Sequence, residues 1–376
     1  MRAFVTVGLG YGDEGKGATT EALVREFGAQ LVVRYSGGAQ CGHNVVGPSG
    51  KKHPFAQWGA GTFAYARTHL MRQVIIDPLA MRKEAEALTA EGCEPWELLS
   101  VDPRCLVTTP LHACVNRWLE KMRQTSGRDS RHGSCGMGIG ETRSYWLWFG
   151  EDSIFAEDLK QARGPRLMEK LDLLRQRLML RYPECHDLYR FSVSHLALRL
   201  SEPRLRLRCS DPLPSLEKNS TIVFEGAQGV LLDERWGQAP HYTWSDVTPR
   251  NAVETAIDMG ASVKVIGVLR TYATRHGAGP LVGNPLPELA DDGNPENPYQ
   301  GGMRFAEHAQ PDVARAIEAC QDHSLAPDTA SMLDALAVNC LDQRPMPGWV
   351  LEKLALPVMI EGRGPSYADR KFLSIK

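Results

Sequence analysis

Short apolar and β-branched runs that end in glycine or polar residues recur along the chain and predict the strands of a sheet. The first run is "AFVTVGL" at 3–9, and "LVVRYS" at 31–36 follows after a glycine-rich turn. Between them, Ala22, Leu23 and Phe27 share one helical face, and Gly28 is placed to end the helix. Strand, glycine turn, helix and strand form a βαβ unit, which implies a parallel sheet with a ligand site at the carboxyl ends of its strands.

Later runs of the same kind predict further strands of this sheet, at 73–77, 221–226, 262–269, 335–341 and 356–362. The region at about 155–205 is charged and rich in Leu and Arg, with apolar residues at helical spacing, and it predicts a helical insertion. Residues at about 280–308 begin with a stretch dense in Pro, Gly, Asn and acids, which indicates a disordered segment or a functional surface loop. We therefore expect an α/β fold with a mostly parallel central sheet, in one domain spanning 1–376.

The amino-acid composition argues against two classes of binding partner, nucleic acids and membranes. Among 376 residues, 43 Lys and Arg balance 45 Asp and Glu, so the chain lacks the basic excess typical of nucleic-acid or membrane-surface binding. No apolar run reaches the roughly 18 residues that a membrane-spanning helix needs. The nine cysteines form no CxxC pair, which favours buried thiols over a zinc site or disulfides. These features predict a cytoplasmic protein that binds neither nucleic acid nor membrane.

The string "GYGDEGKG" at 10–17 meets most of the phosphate-loop pattern G-x-x-x-x-G-K-[ST], but Gly17 stands where a magnesium-binding hydroxyl belongs. Its two acids, Asp13 and Glu14, pose a problem. A carboxylate about 4 Å from a phosphate oxygen is repelled by roughly 4 kcal/mol at an effective dielectric near 20. Either Mg²⁺ or a proton donor on a second substrate must lie between them, unless the string is only a tight turn with solvated acids. Asp13 is then a metal ligand, a general base, or both.

Three more segments place glycine and polar residues at the ends of predicted strands. Each segment by itself is only a weak indication of a binding site. They are "RYSGGAQCGHN" at 34–44, "TIVFEGAQGVLLD" at 221–233 and "TRHGAGP" at 274–280. Because the carboxyl ends of parallel strands meet at one edge of a sheet, the strings together predict one crevice that can hold more than one anionic ligand.

"GDEGKG", "RYSGG" with "CGHN", "FEGAQGVLLD" and "TRHGAGP" resemble the signatures of the adenylosuccinate synthetase family. The resemblance extends from the first strand to "GRGPSYAD" at 362–369. Members of this family are ligases that join aspartate to C6 of inosine monophosphate while splitting GTP. The resemblance implies a Mg²⁺ cofactor and a homodimer whose interface completes the site.

The resemblance also implies roles for the residues of the loop. Asp13 matches the base that removes the N1 proton of the purine, so that the 6-oxygen can accept the γ-phosphoryl group. His43 matches the residue that stabilises charge on that group, and Lys16 the one that contacts the β- and γ-phosphates. Asp13 and the Gly42 carbonyl would hold Mg²⁺. The implied nucleotide-binding residues are Gly12, Glu14, Gly15, Lys16, Gly17, Gly42, His43, Asn339, Asp342, Gly362 and Gly364.

The implied purine monophosphate pocket departs from the family pattern at two positions, since Gln40 replaces an asparagine and Cys135 replaces a threonine. Its residues are Gln40, Ser134, Cys135, Gln228, Leu232, Thr243 and His276. At the nucleotide base, Asp342 can accept two N–H bonds from a guanine edge, which favours GTP over ATP, although Cys340 replaces the family's lysine.

The implied aspartate site is the part of the chain that departs most from the family pattern. The arginine-rich loop of the family reads "YQGGMRFAEH" here, so that Gly302 and Arg304 are the candidates, with Arg250 or Arg275 to compensate. Arg143 is close to, but offset from, the arginine that a dimer partner would supply. We expect inosinate as the purine first, and guanylate or deoxyguanylate second. A nucleotide switch and a catalytically idle binding protein are the alternatives outside the ligase class.

Overall fold

A computed structural model describes residues 1–125, 131–160, 164–201, 216–290, 296–321 and 332–373. The strands are β1 (Arg2–Gly8), β2 (Leu31–Arg34), β3 (His43–Val46), β4 (Lys52–Phe55), β5 (Arg67–Leu70), β6 (Ile75–Ile76), β7 (Leu99–Val101), β8 (Leu106–Val107), β9 (Thr221–Gly229), β10 (Ser262–Arg270), β11 (Ala273–His276), β12 (Met303–Ala306), β13 (Ala335–Asn339), β14 (Val358–Gly362) and β15 (Arg370–Phe372). The α-helices are α1 (Lys16–Phe27), α2 (Pro78–Ala90), α3 (Pro110–Thr125), α4 (Ile139–Phe149), α5 (Pro165–Arg181), α6 (Val193–Leu200), α7 (Arg250–Asp258), α8 (Gln310–Ala319) and α9 (Gly348–Leu354).

Within the described residues, the central sheet has nine strands in the order β15-β14-β13-β10-β1-β9-β2-β5-β7. Every pairing is parallel except that of β14 with β15. In the middle of the sheet, Val5 of β1 lies opposite Phe224 of β9 and Val265 of β10. The predicted α/β fold with a mostly parallel sheet is confirmed.

Alternate residues of the central strands are buried on opposite faces of the sheet. Val5 and Phe224 belong to one apolar cluster, whereas Phe4 and Val223 belong to another that includes Leu23 of α1. A parallel sheet that is covered on both faces needs such continuous apolar strands, which is why these runs could be predicted. Helix α1 ends as expected, because Gly28 adopts the left-handed conformation with φ 59°.

The edge of the sheet formed by β5 and β7 differs from the prediction. The run at 73–77 contributes only the two-residue β6, which pairs with β8 in a separate small sheet. The sheet is extended instead by β5 and β7, whose facing residues His69 and Ser100 share a hydrogen bond of 2.8 Å. These strands are short and partly polar, so that no apolar run marks them.

Beyond this edge, helices α2, α3, α5 and α6 pack around a third apolar cluster that includes Leu88, Val115 and Leu171. Helices α5 and α6 occupy the charged Leu- and Arg-rich region at about 155–205. In the region at 280–308, β12 pairs antiparallel with β11, and residues 291–295 lie outside the described ranges. No helix in the described part of the chain has both the length and the apolar character needed to cross a membrane.

Candidate active site

A cleft of about 560 Å³ opens at the carboxyl ends of β1, β2, β9 and β10, and its volume is typical of a small-molecule site. The predicted site residues that line it are Gly12, Asp13, Gly15, Lys16, Gly17, Gln40, Gly42, His43, Ser134, Cys135, Gln228, Leu232, Thr243 and His276. The predicted site residues that do not line this cleft are Glu14, Gly302, Arg304, Asn339, Asp342, Gly362 and Gly364. The structure thus brings most of the loop and purine candidates together.

The two acids of the loop point in different directions. Glu14 is buried beneath the loop, where Oε1 accepts a hydrogen bond from the Gly12 N–H (2.8 Å) and Oε2 pairs with Lys16 Nζ (2.5 Å). Gly229 of β9 passes so close that a Cβ there would overlap the Gly10 carbonyl oxygen. Glu14 is therefore an internal support of the loop, and only Asp13 presents its carboxylate to the cleft.

Asp13 adopts the left-handed conformation with φ 61°, which few residues other than glycine adopt and which often marks functional sites. The preceding Gly12 carbonyl accepts a hydrogen bond from Thr274 Oγ1 (2.7 Å). Burial raises the pKa of the Asp13 carboxyl, and the charges of Arg270, His276 and Lys16 oppose that rise. A partly exposed carboxylate held among cations at the edge of a cleft is suited to accept a proton at neutral pH.

His43 is held by a residue that sequence reasoning missed. Its Nδ1 lies 2.5 Å from Oε1 of Glu225, whose Oε2 accepts the Ala60 N–H at 3.0 Å. Burial lowers the pKa of His43 to about 4, partly offset by the charge of Glu225. Although burial of Glu225 acts to raise its own pKa, His43 and Arg34 bring that pKa below its usual value. Both lowered pKa values agree with a neutral imidazole that donates its Nδ1–H to an ionised Glu225. In this state Nε2 is available to a ligand.

Glu225 lies in the quoted string "FEGAQG", and an acid within an apolar strand was the signal that could have identified it. A buried carboxylate needs a partner, and the carboxyl end of a central strand is where a ligand-facing partner would lie.

Ser134 and Cys135 of the predicted purine monophosphate pocket lie close to two residues that were not predicted, Asn116 and Glu141. Asn116 of α3 donates hydrogen bonds to Ser134 Oγ (2.7 Å) and to Glu141 Oε1 (3.1 Å). Burial raises the pKa of Glu141 to about 7 and that of the Cys135 thiol to about 11. The Ser134 hydroxyl is thus positioned by Asn116, and Cys135 is a neutral thiol at physiological pH.

Gln228, which also lines the cleft, takes a left-handed conformation with φ 60° and donates its Nε2–H to Cys41 Sγ at 3.1 Å. Thr243 is fixed by its N–H, which donates to the Leu232 carbonyl at 2.7 Å. The rings of Tyr242 and Trp244 flank Thr243 and also line the cleft.

Among the candidates for the nucleotide base, Asn339 at the end of β13 contacts both the phosphate loop and Gly362. Its Nδ2 donates to the Glu14 carbonyl (2.9 Å), and its Oδ1 accepts from Arg370 Nη1 (2.7 Å). The Arg370 guanidinium packs directly against Gly362, and Asp342 is exposed nearby in the chain. Asn339 thus bonds the phosphate loop without lining the cleft.

Two of the arginines considered for the amino donor, Arg304 and Arg275, donate to backbone carbonyls. Arg304 donates to the Gly279 carbonyl at 2.7 Å, and Gly302 O accepts from the Gly277 N–H at 2.9 Å. Arg275 lines the cleft, but its guanidinium donates to the carbonyls of Ala278, Pro280 and His241.

Two other arginines considered from the sequence lie against acidic partners. Arg250 pairs with Glu254 on α7, and Arg143 lies 3.8 Å from Glu234 with its guanidinium over Trp146.

The cleft suits a magnesium ion only together with an anionic ligand. Within the described ranges, no group of three or more His, Cys, Asp or Glu side chains is arranged to hold a metal. Asp13 and Gly42 line the same cleft and offer a carboxylate and a carbonyl oxygen, which are hard ligands. Because Mg²⁺ commonly uses one or two carboxylates together with substrate phosphates and waters, this donor set fits the ion.

Sequence comparison relates the chain to one family of known proteins. The sequence model of the adenylosuccinate synthetase family matches residues 5–293. The adenylosuccinate synthetase of Francisella tularensis subsp. mediasiatica is 31% identical over 318 residues, which cover 80% of this chain and 69% of that protein. The adenylosuccinate synthetase of Halothermothrix orenii is 31% identical over 294 residues, which cover 74% of this chain and 64% of that protein.

Two solved structures share the fold. Fully ligated adenylosuccinate synthetase from Plasmodium falciparum has a TM-score of 0.78 at 16% identity, and the match covers all of both chains. The succinoaminodeoxyadenylate synthetase of cyanophage S-2L, bound to dGMP and to dATP as an energy donor, has a TM-score of 0.63 at 17% identity. That match covers 100% of this chain and 96% of the phage protein.

Proposed function

Because the chain belongs to the adenylosuccinate synthetase family, we propose that it couples cleavage of a nucleoside triphosphate to C–N bond formation at C6 of a 6-oxopurine nucleoside 5′-monophosphate. The proposed amino donor is L-aspartate. Inosinate is the first choice of purine, ahead of guanylate and deoxyguanylate, and GTP is favoured over ATP. The observation that carries the proposal is that Asp13 and His43 line one cleft beside the phosphate loop.

In the first half of the proposed reaction, Asp13 removes the N1 proton of the purine, and the 6-oxygen attacks the γ-phosphorus of the triphosphate. The nucleoside diphosphate leaves, and a 6-phosphoryl purine remains. The left-handed backbone at Asp13 and the hydrogen bond from Thr274 to Gly12 hold the base at the loop. General-base catalysis of this kind contributes about 10²- to 10⁴-fold.

In the second half, the amine of aspartate attacks C6 and inorganic phosphate leaves from it. His43 Nε2 would donate to the transferred group in both halves, for which it must carry a proton. Glu225 supports this role, because its carboxylate lies 2.5 Å from Nδ1 and stabilises an imidazolium. Negative phosphates in the cleft would raise the pKa of His43 from its low value in the free protein.

Mg²⁺ is the proposed cofactor, with Asp13 and the Gly42 carbonyl as its protein ligands. When bound, the ion neutralises charge on the phosphates. Lys16 would add a point charge at the β- and γ-phosphates, and its ion pair with Glu14 holds the ammonium within the loop.

We further propose that the protein is cytoplasmic, as its composition predicts, and that it forms a homodimer, as the family resemblance implies. The side chains of Leu147 and Trp148 on α4 are 56% and 65% exposed, which supports a contact surface on this helix. Light scattering of the purified protein tests the dimer.

The ligase proposal is tested by incubating the protein with Mg²⁺, aspartate, GTP or ATP, and each of inosinate, guanylate and deoxyguanylate. Product mass and loss of the lactam absorbance report the C–N bond and identify the purine. Asp13→Ala should abolish turnover while GTP affinity stays within a few-fold, and His43→Asn should behave similarly. Substantial turnover by Asp13→Ala would refute the base role. GTP hydrolysis at one rate with and without purine and aspartate would favour a nucleotide switch.

A further inference from the structure

The glycine-rich turn at 133–138 is held on helix α3 by one buried side chain, that of Asn116. Its Nδ2 donates to Ser134 Oγ at 2.7 Å and to Glu141 Oε1 at 3.1 Å. Its Oδ1 accepts from the Gly138 N–H at 3.3 Å. Asn116 therefore joins α3 to the beginning of the turn, to its end and to the first helical turn of α4, where Glu141 lies.

These contacts determine which way the Asn116 amide faces. A backbone N–H can only donate, so the atom of Asn116 that faces the Gly138 N–H must be the oxygen. The amide nitrogen, which can only donate, then faces Ser134 Oγ. Gly138 cannot move away from α3 freely, because it has a left-handed φ of 82° and packs so closely that a Cβ would overlap the backbone of Ala113.

The direction of the hydrogen bond from Asn116 decides what Ser134 can offer to a ligand. Among the residues that the structure describes, Asn116 is the hydrogen-bond partner of Ser134 Oγ. Because Oγ accepts from Asn116, the hydroxyl proton remains to be donated elsewhere, and Ser134 lines the cleft. A donating hydroxyl suits a phosphate group, whose oxygens are strong acceptors of hydrogen bonds.

We propose that Asn116 is a positioning residue for the purine monophosphate, which orients the Ser134 hydroxyl so that it donates to the 5′-phosphate. The inference rests on the proposed function, for which Ser134 belongs to the predicted monophosphate pocket. Asn116 also lines the cleft, but Ser134 and Glu141 use both N–H groups of its amide. Asn116 thus acts on the phosphate through Ser134.

The affinity for a nucleoside with and without its 5′-phosphate tests the proposal. We would measure Kd by isothermal titration calorimetry for inosinate and inosine, and for deoxyguanylate and deoxyguanosine, so that the result does not depend on which purine is preferred. Asn116→Ala should weaken binding of the monophosphates about 10-fold or more and leave that of the nucleosides within about two-fold, because a hydrogen bond to a charged group is lost. Gln176→Ala, which removes an exposed amide bonded to Asp172 on α5, is the control.

A second variant separates positioning from structural support. Asn116→Asp combined with Glu141→Gln exchanges a donor and an acceptor and keeps the formal charge, so that the contacts among α3, the turn and α4 can still form. The Ser134 hydroxyl would then donate to the new carboxylate and would have no proton for the phosphate. We expect the same loss of monophosphate affinity as in Ser134→Ala, with a fold that circular dichroism shows to be retained.

Adding Asn116→Ala to Ser134→Ala should cause no further loss, because the two residues act as a unit. Unchanged monophosphate affinity in the Asn116→Asp, Glu141→Gln variant overturns the proposal. Equal losses for nucleosides and monophosphates, or additive losses in the Asn116→Ala, Ser134→Ala variant, also overturn it, since a purely structural role would produce them. So does a wild-type protein that binds the monophosphates no better than the nucleosides. A phosphate-dependent loss in a protein that forms no C–N product would support the role of Asn116 and reject the ligase function.

Discussion

The imidazole of His43 and the carboxylate of Glu225 form a buried pair, with Nδ1 and Oε1 2.5 Å apart. The two residues come from β3 and β9, which belong to different sheets. The pair fixes which ring nitrogen faces the cleft, because a carboxylate at Nδ1 requires a proton there and leaves Nε2 available.

Replacing Glu225 by glutamine should lower kcat by about 10²-fold, a loss similar to that of one charge-stabilising donor in other enzymes. The substitution keeps the shape of the side chain but removes the charge that stabilises an imidazolium. Steady-state kinetics with the preferred purine measures the effect, and circular dichroism checks the fold. Glu217→Gln, at an exposed position before β9, is the control. A normal kcat in Glu225→Gln would exclude this role for the pair.

Replacing Glu141 by glutamine should change how stability depends on pH. Burial raises the pKa of Glu141 from 4.5 to about 7, so that between these values the folded protein holds a proton that the unfolded chain has released. The stability from this proton is fully present below pH 4.5 and is lost as pH rises through 7. The free energy of unfolding of wild type relative to Glu141→Gln should therefore fall by about 3 kcal/mol from pH 4.5 to 8.

Urea unfolding at pH 5, 6, 7 and 8 measures this difference. Glu84, whose pKa burial also raises to about 7, is present in both proteins and cancels in the comparison. Glu151→Gln, at an exposed position, should show a constant difference from wild type. A constant difference for Glu141→Gln as well would contradict a protonated carboxyl at this position.

Replacing Gly229 by alanine should disrupt the phosphate loop. The new Cβ would overlap the Gly10 carbonyl oxygen and Oε1 of Glu14, neither of which can move without distorting the loop. We expect a loss of about 1–3 kcal/mol in the free energy of unfolding and weaker binding of GTP. Gly348→Ala, at the start of α9 with open space around its Cα, should be neutral or stabilising by about 0.5 kcal/mol. Thermal unfolding and GTP titration compare the two, and equal results would refute the close packing of Gly229.

Replacing Asn339 by alanine should raise KM for the nucleoside triphosphate. It removes the donor to the Glu14 carbonyl and the acceptor of Arg370, and unsatisfied buried groups cost about 1–3 kcal/mol each. The KM for the purine should change less, because Asn339 does not line the cleft. Asn284→Ala, at an exposed position bonded to Glu307, is the control. An effect confined to the purine KM would contradict a role beneath the loop.

The pattern of apolar residues predicted a strand correctly where the residues of that strand alone mark it as buried. The apolar runs of β1, β2, β9, β10 and β13 identified the buried middle of the sheet, since a parallel sheet covered on both faces selects continuous apolar strands. The short β5 and β7 were missed, because Thr68, His69 and Ser100 carry no such signal and pair only when the sheet already exists.

The family, the α/β fold and the loop that carries Asp13 and Lys16 could be predicted from the amino-acid sequence, because glycine spacing and strand periodicity are local properties of the chain. Three features required the three-dimensional arrangement: Glu14 turns inward, Glu225 supports His43, and Arg304 bonds the Gly279 carbonyl outside the cleft. Each of these depends on the direction of a side chain toward a residue far away in the chain, and burial makes an unpaired charge costly enough to select the partner.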